Sequence, residues 1–577
     1  MFVRTSPQRG LFETDALLSE KGRALLKRSW AESFARDVLP RLLALEPQLE
    51  PLYSDTGRPN WSAARMLGLV LLRELLGLGS DREVVEALAF DARFHHALGL
   101  TPEEAYLSRR SLVEFRRRFQ TRGPELAREL FDEVTAAAIE ALDVRTSTQR
   151  IDSTFVTSNI ALRGRAALLA EALERLLDAL GAERRARVQD EILAWYGDQD
   201  GWDSRVSFEQ VARWLHRVLR EFRNDEDVTS MASYDLALDL LSQHVTLTER
   251  GRPPTDDDDD DGPDDDPPAT PSAPKKKKKN NASKQRSRSK TKAQHAARRK
   301  QRMKASLESA DQDVDVVASK ETDIDRIQSV HDQDARFGLK GTGYHAQFAE
   351  TCGNTDVELI TDVAVTPANT SDMTMLTGIV ESLTNHGRKP EVLLADAGYT
   401  SGDNLVHCED RGIELVGPVR RARVERALDR NDFRYDEAGA LIACPEGHAP
   451  TQLVTIRTSS HPEPQPHAYF DHATCEACPK RAQCPVADFR GRRMRVPYGR
   501  SVRARDERLR EQRTIEFRER YAPRSGIEAS NSELKRAHAL GRLPVRGADK
   551  VYVRVVLKAA ACNIKRWHRA SLLQAAA

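Results

Sequence analysis

A short apolar run that ends in a carboxylate most constrains the fold of this chain. Residues 391–396 have the sequence Glu-Val-Leu-Leu-Ala-Asp, and helix-forming segments flank them. A strand without polar alternation is buried on both faces, which is typical of a parallel strand covered by helices. The run therefore predicts an α/β fold. It also places Asp396 at the carboxyl edge of the sheet, where ligands gather in open α/β sheets.

Other segments supply the rest of a mixed sheet. Residues 149–160 are rich in β-branched side chains and predict the first strand. Further strands are predicted at Tyr344–Glu350, Leu359–Thr366 and Ile413–Val419, with a helix near Met373–Thr384. The predicted order is three strands, helix, strand, helix, strand and a late helix, with two large insertions at about 161–335 and 421–515.

Two segments are predicted to be helical. In residues 60–145, Ser80 begins a capping-box pattern and Thr101 a second helix start. A third helix, from about Ser111 to Phe119, carries a basic cluster of Arg109, Arg110, Arg116, Arg117 and Arg118. This cluster suits DNA docking, although a bundle with a solvated arginine face is an open alternative. Residues 162–248 show apolar side chains at helical spacing and are expected to form helical core.

A low-complexity segment at 251–305 separates the second helical region from the later strands. It contains six consecutive aspartates at 256–261 and five consecutive lysines at 275–279. Such a composition buries too little apolar surface to offset the entropy of ordering, so disorder is predicted. Its basic half either contacts DNA phosphates, pairs with the acidic half, or belongs to a solvated linker.

The near-neutral total charge hides a strong asymmetry. The 577 residues carry a formal net charge of +1, yet residues 487–577 contain 23 Lys and Arg against nine Asp and Glu. This basic arm includes Arg490, Arg492, Arg493, Arg495 and Arg500, whose expected role is phosphate contact, with a solvated face as the alternative. The longest apolar run, Leu67–Leu78, is too short to span a membrane and no signal-peptide pattern is present. We expect an intracellular protein of about three to five domains that has no membrane partner.

Three carboxylates stand out as a candidate metal centre: Asp152 within the first strand, Asp396, and Glu528 on a late helix. On an ideal helix, Tyr521, Arg524, Glu528 and Lys535 share one face, because their spacing falls within about 60° of arc. A carboxylate between two cations suits phosphodiester chemistry, in which acids hold metal and cations hold phosphate. Two Asp and one Glu form an all-oxygen site suited to Mg²⁺.

Four of the seven cysteines form a second motif. Cys475 and Cys478 form a Cys-x2-Cys pair, and Cys444 and Cys484 complete a set of four soft ligands. This spacing predicts a tetrahedral structural zinc site, with His448 as a substitute for one ligand. Four reduced thiols without metal are the alternative. The count is too low for a disulfide framework.

Taken together, these motifs resemble those of a known enzyme family. The spacing Tyr521-x2-Arg524-x3-Glu528-x6-Lys535 is similar to the Tyr-Arg-Glu-Lys signature of bacterial insertion-sequence DDE transposases. The segments around Asp152 (Ile-Asp-Ser-Thr) and Asp396 (Ala-Asp-Ala-Gly-Tyr) also resemble that family, in the same order along the chain. The resemblance spans about residues 50–570, with the long helical insert and the Asp/Lys tract as departures from compact members.

The resemblance implies an RNase H-like mixed-sheet core interrupted by a helical insert and a cysteine-rich insert, with an N-terminal all-helical domain. The domain boundaries expected on this basis are an N-terminal, DNA-binding domain at 1–145, a catalytic core at 146–160, 336–420 and 516–570, a helical insert at 161–250, a linker at 251–305, and a cysteine-rich basic insert at 421–515.

It also implies a function. Asp152, Asp396 and Glu528 would bind two Mg²⁺ ions for cleavage at the element ends by activated water, and the freed 3′-hydroxyl would attack target DNA. Tyr521, Arg524 and Lys535, with Arg492 and Arg493 of the basic arm, would contact DNA. The partners implied are the terminal inverted repeats, target DNA and a second copy of the chain, in the prokaryotic cytoplasm at the nucleoid. The alternatives are a nuclease without strand transfer, an inactive transposase-derived DNA-binding protein, and a zinc-stabilised scaffold.

Overall fold

The fold is taken from a computed structural model. It describes residues 2, 4, 18–54, 56, 60–161, 163–197, 206–249, 288–308, 312–317, 322, 325–421, 426–458, 461–489 and 491–576. The Asp256–Asp261 and Lys275–Lys279 runs and Arg490 lie outside these residues. Within the described part of the chain, no helix is long and apolar enough to cross a membrane.

The N-terminal region is helical, as predicted. Its α-helices in the described residues are α1 Glu20–Lys27, α2 Trp30–Ser33, α3 Leu39–Ala44, α4 Glu46–Leu49, α5 Ala63–Leu76, α6 Asp81–Phe90, α7 Ala92–Leu98 and α8 Arg109–Ala141. Helix α6 begins after Ser80, whose hydroxyl accepts a hydrogen bond from the Glu83 N–H at 3.2 Å. The predicted capping residue is therefore confirmed for this helix.

The second predicted helix start is wrong. Residues after Thr101 form a single turn, although the Glu104 carboxylate accepts the Thr101 N–H at 2.9 Å. The chain then runs extended because Ala105 and Leu107, two residues apart, both insert into the core. That spacing suits an extended segment rather than a helix.

The basic helix α8 extends well beyond the predicted 111–119, and part of its arginine cluster is used inside the protein. Arg116 forms an ion pair with Asp81 at 2.5 Å, and Arg118 stacks over the Tyr53 ring at 5.5 Å. Arg109 and Arg110 remain exposed.

Strand β1, Thr148–Val156, leads into the helical insert. The insert contains α9 Arg165–Ala179, α10 Gly181–Arg185, α11 Asp190–Gly197, α12 Phe208–Glu221, α13 Glu226–Thr229, α14 Ala232–His244, β2 Val245–Glu249, α15 Arg288–Ser306 and β3 Gln312–Val316. These helices enclose an apolar cluster of their own.

The prediction that residues 251–305 are disordered is wrong for the last part of this segment, because Arg288–Ser306 forms helix α15. Met303 and the following Leu307 are buried in the apolar cluster of the insert, and Lys300 forms ion pairs with Asp235 and Asp239 at 2.7 and 3.0 Å. Compositional reasoning missed this helix because its few apolar side chains are embedded in a basic tract.

The central sheet combines β1 with later strands. These are β4 Arg336–Gly338, β5 Gly341–Thr351, β6 Ile360–Pro367, β7 Val392–Leu394 and β8 Glu414–Val416, with α16 Leu376–Asn385 and α17 Gly402–Glu409 between them. The order is β4-β5-β1-β7-β8, with β6 also paired to β5. Strand β1 is antiparallel to β5 and parallel to β7, so the predicted mixed sheet and the parallel arrangement of the 391–396 run are confirmed. The curled mixed sheet is consistent with an RNase H-like core.

The cysteine-rich insert has a small antiparallel sheet. Its strands are β9 Arg434–Tyr435, β10 Leu441–Ala443, β11 Gln452–Thr458, β12 His461–Phe470, β13 Ala487–Phe489 and β14 Arg493–Pro497, with α18 His472–Glu476 after β12. The order β11-β12-β14-β13 forms one sheet, and β9 pairs with β10.

Four helices complete the described chain: α19 Arg500–Glu511, α20 Ile515–Tyr521, α21 Ile527–Ala537 and α22 Ala548–Ala576. Helix α22 packs against α5, α8 and β6, so it joins the N-terminal helices to the central sheet. One apolar cluster runs through all of these elements. The sheet and the N-terminal helices therefore share a core, which limits their relative motion.

Candidate active site

The three predicted acids meet around one arginine. The Arg524 guanidinium lies 2.7 Å from Asp152, 3.8 Å from Asp396 and 3.3 Å from Glu528. Its side chain is only 12% exposed, whereas Glu528 is 69% exposed. Residues almost 400 positions apart in sequence thus form one acidic centre that opens to solvent on the Glu528 side.

The sheet explains how the two aspartates come together. Strands β1 and β7 are parallel neighbours, with Arg150 opposite Leu394. Asp152 and Asp396 each lie two residues further along, so the period of two in a strand directs both side chains to the same face. Asp396 lies just beyond the end of β7, as the sequence predicts.

A break between two helices brings Arg524 to the acids. Helix α20 ends at Tyr521, residues 522–526 form a 3₁₀ turn, and α21 begins at Ile527. The buried Arg150 side chain donates a hydrogen bond to the Pro523 carbonyl at 2.9 Å, and any side chain at Gly526 would collide with its guanidinium. Tyr521 therefore lies before the helix that carries Glu528 and Lys535, as the proline at 523 predicts, and a 3₁₀ turn packed against Arg150 replaces the ideal helix between them.

Asp152 is held in a partly dry and negatively charged environment. Asn531, one turn after Glu528, donates a hydrogen bond to Asp152 Oδ2 at 3.0 Å. Burial raises the pKa of Asp152, and the neighbouring carboxylates Asp396 and Asp372 raise it further, against the lowering effect of Arg524. A site of this kind favours positive charge.

Tyr521 and Lys535 flank the acidic centre. Tyr521 stacks on Phe517 with ring centroids 5.9 Å apart, and burial raises its pKa, with smaller effects from Arg524, Asp396 and Asp152. Burial lowers the pKa of Lys535, and Lys340 lowers it further. Lys340 and Lys535 therefore place two cations beside the acids.

Sequence reasoning missed a fourth carboxylate, Asp372. It follows β6 in a 3₁₀ turn, Asp372–Thr374, and its Oδ2 accepts a hydrogen bond from Ser153 Oγ at 3.0 Å. Burial raises the pKa of Asp372, and Asp396 adds to the effect, while Ser153 opposes it. No local motif marks this residue, since it lies in a loop at Asn-Thr-Ser-Asp. Its position follows only from the pairing of β5, β1 and β6.

The four cysteines of the second motif gather beside the small sheet. Cys444, Cys475 and Cys484 pack against its apolar cluster. Burial raises the pKa of Cys475 to about 11, and the nearby Cys484, Cys444 and Cys478 thiols contribute to this shift. His448 lies on the Cys444 turn, where its carbonyl accepts the Cys444 N–H at 2.9 Å. All seven cysteines are free thiols.

The basic arm is only partly available to a partner. Arg493 is exposed, lies over the Tyr469 ring at 5.5 Å and donates to Gln452 at 3.1 Å, and Arg492 is exposed. Arg500 forms ion pairs with Glu409 and Asp410 at 2.9 and 2.5 Å. Arg500 thus joins the arm to α17, rather than presenting a free cation.

One group of three ligand-type side chains in the described residues has its donor atoms within 4.8 Å of one another: Glu533, His538 and Cys562. Neither the three acids nor the four thiols approach that closely. In the acidic centre the Arg524 guanidinium occupies the space between the carboxylates. Glu533 of the other group is already ion-paired with Arg566 at 2.9 Å.

Comparison with known families supports the recognition made from the motifs. Residues 443–568 match a family model described as Transposase DDE domain, and residues 31–118 match one described as Transposase domain (DUF772). The first match includes Glu528 and the basic arm, whereas Asp152 and Asp396 lie before it. The two matches support an insertion-sequence DDE transposase. The family matches do not test the Tyr-Arg-Glu-Lys signature, which is inferred from the sequence alone.

No curated protein and no solved structure gave a significant match to the chain. The DDE transposase domain implies an enzyme that acts on nucleic acid, with DNA as its partner. This family normally uses a divalent metal.

Proposed function

We propose that this chain is a DNA transposase that cleaves the ends of its own element and transfers the freed 3′-hydroxyls into target DNA. The observation that carries this proposal is the single Arg524 guanidinium shared by Asp152, Asp396 and Glu528. The three acids come from three separate elements: Asp152 from β1, Asp396 from the end of β7 and Glu528 from α21. The two transposase family matches supply the substrate class.

Asp152, Asp396 and Glu528 are the residues that would hold two Mg²⁺ ions. Their carboxylates form an all-oxygen donor set, which fits a hard divalent cation. Burial raises the pKa of Asp152, the carboxylates of Asp396 and Asp372 raise it further, and the ion pair with Arg524 opposes both effects. When bound, Mg²⁺ would activate water and stabilise the charge on the phosphate that is attacked.

The other side chains of the site would bind and orient DNA. Lys535 and Lys340 lie on the edge of the acidic centre and suit phosphate oxygens. Arg524 would exchange its carboxylate contacts for a phosphate, and Tyr521 would position the nucleotide at the cut. Asn531 would keep Asp152 oriented through its hydrogen bond.

Other surfaces extend the DNA contact in this proposal. Arg492 and Arg493 lie exposed on the insert that precedes the catalytic helix, and Arg109 and Arg110 at the start of α8 are exposed as well. We place the protein in the prokaryotic cytoplasm at the nucleoid, working as a homodimer that holds two element ends. A homodimer predicts a complex of two copies of the chain and two element ends. The mass of the assembled complex, measured by light scattering, tests this stoichiometry.

The decisive experiment follows the fate of a labelled DNA fragment that carries the element's own terminal repeat. With Mg²⁺ we expect first a free 3′-hydroxyl at the element end, and then a product in which that end is joined to a second DNA. EDTA should prevent both steps. Cleavage without any joined product would favour the nuclease alternative. Absence of both, with DNA binding intact, would favour an inactive DNA-binding derivative.

The cysteine-rich insert is proposed to hold one structural Zn²⁺ through Cys444, Cys475, Cys478 and Cys484. Among the described residues of the insert, its small apolar cluster contains eight buried side chains, so a metal crosslink would compensate for a limited core. We expect elemental analysis to give one zinc per chain. Cys478→Ser should lose this zinc and lower the melting temperature, whereas Cys408→Ser, at a buried cysteine outside the motif, should retain it. The assignment would be contradicted if the purified wild-type protein contained no zinc and adding zinc did not raise its melting temperature.

A further inference from the structure

We propose that Asp372 is a fourth carboxylate of the cation centre and binds a divalent cation together with Asp396. This inference rests on the proposed function, because it concerns the same centre. It adds a ligand beside Asp396.

The space between the two carboxylates is kept open by Gly398. A Cβ at this position would lie 2.8 Å from Asp396 Oδ1 and 3.4 Å from Asp372 Oδ2. The two oxygens therefore flank one small cradle that any side chain at 398 would fill. The Gly398 N–H donates to Asp396 Oδ1 at 2.8 Å and fixes the orientation of that carboxylate. The glycine of the Asp-Ala-Gly-Tyr segment is thereby explained by the space that it leaves.

A buried amide lies beside the other oxygen of Asp372. Gln347 is 1% exposed and donates from Nε2 to Asp372 Oδ1 at 3.4 Å. Its amide oxygen is buried and has no hydrogen-bond partner among the described residues. A buried acceptor of this kind requires a partner, and a cation or its bound water would supply one.

The hydrogen-bond partners of Asp372 are neutral groups. Ser153 Oγ donates to its Oδ2, and Gln347 Nε2 donates to its Oδ1. No Lys or Arg in the described chain lies within 4.0 Å of its carboxylate, and the nearest basic atom is His345 Nδ1 at 3.8 Å. A half-buried carboxylate beside another one, without a strong counterion, is costly unless a cation joins them.

The test is Mn²⁺ binding by the full-length protein without DNA, measured from the electron paramagnetic resonance signal of free Mn²⁺. We expect Asp372→Asn to weaken Mn²⁺ binding at least about tenfold, as loss of a metal contact does. Glu381→Gln, which removes an exposed charge on the neighbouring helix α16, should bind as the wild type does. Ser153→Ala removes a hydrogen bond to Asp372 but no charge, and should change binding by less than about threefold.

Two outcomes would overturn the inference. Asp372→Asn could bind Mn²⁺ as tightly as Glu381→Gln, or Ser153→Ala could weaken binding as much as Asp372→Asn, which would mean that Asp372 only supports β1. Asp152→Asn distinguishes a failure of the fourth ligand from a failure of the proposed function. If it abolishes binding while Asp372→Asn does not, only the fourth ligand is wrong, and if it too has no effect, the proposed function fails.

A second measurement does not depend on folding of a variant. Fe²⁺ bound to the wild-type protein, with ascorbate and peroxide, should cut the backbone near residues 371–373 and 396–398 as well as near Asp152. Cuts near Asp152, Asp396 and Glu528, with none at residues 371–373, would contradict a cation in the cradle.

Discussion

Asp152→Asn should reduce the rate of Mg²⁺-dependent DNA cleavage by about 10³-fold or more, while the protein stays folded and continues to bind DNA. Stabilisation of charge by a bound metal is worth several kcal/mol, and each 1.36 kcal/mol changes a rate about tenfold. Asparagine has the same shape as aspartate. Its single oxygen can still accept from Arg524, and its Nδ2 can donate to Asn531 Oδ1 once the Asn531 amide turns over. The loss should therefore appear in the cleavage step and not in affinity for DNA.

Stability without metal should not fall in this variant. Burial and neighbouring carboxylates raise the pKa of Asp152 in the folded state. The free energy of unfolding therefore falls as the pH rises from the pKa of the unfolded chain to this raised pKa, and it stays lower above it. At neutral pH the neutral amide removes this penalty. Single-turnover cleavage, with melting curves of both proteins at pH 7 in EDTA, provides the measurement. Glu381→Gln serves as the charge-matched control, and cleavage within about tenfold of wild type by Asp152→Asn would contradict the assignment.

Glu74→Ala should destabilise the protein by about 3–5 kcal/mol, the largest stability effect that we expect from one substitution. Glu74 on α5 is 2% exposed and accepts ion pairs from Arg554 at 2.5 Å and Lys558 at 2.6 Å, both on α22. Burial lowers the pKa of Lys558, and Glu74 opposes that shift. Removal of the carboxylate leaves two buried cations without a counterion.

The same contacts connect the N-terminal helices to the end of the catalytic helix. Lys558 donates to the His538 carbonyl, just after α21, and His538 Nδ1 lies 3.1 Å from the Glu74 carbonyl. Urea unfolding followed by circular dichroism measures the cost. Glu86→Ala, on the exposed Arg82–Glu86 pair of α6, should cost under about 0.5 kcal/mol. Equal losses for Glu74→Ala and Glu86→Ala would show that the buried network contributes nothing.

The central sheet could be predicted because its strands carry local signals. The apolar run at 391–396 and the β-branched segment at 149–160 gave strands β7 and β1 within a few residues. The pairing of β1 with β7 was not predicted and is known from the structure alone. The motif spacing also identified Asp152, Asp396 and Glu528 before the fold brought them near Arg524.

Features that depend on tertiary contacts could not be predicted. The break between α20 and α21 is formed by Arg150 against Pro523 and Gly526, and β1 and that turn are distant in sequence. Helix α15 forms because Met303 finds an apolar partner surface, although its composition suggests disorder. Asp372 has no motif, and only the sheet brings it next to Ser153.

In the mechanism that we propose, Asp152 contacts a divalent metal during DNA cleavage. Asp152→Cys tests it most directly, because a thiolate is a soft ligand that Mn²⁺ accepts more readily than Mg²⁺ does. We expect single-turnover cleavage by this variant to be lost in Mg²⁺ and partly restored in Mn²⁺, with Glu381→Gln equally active in both. Equal cleavage by Asp152→Cys in Mg²⁺ and in Mn²⁺, or no cleavage in either metal, would contradict a metal-binding role for Asp152.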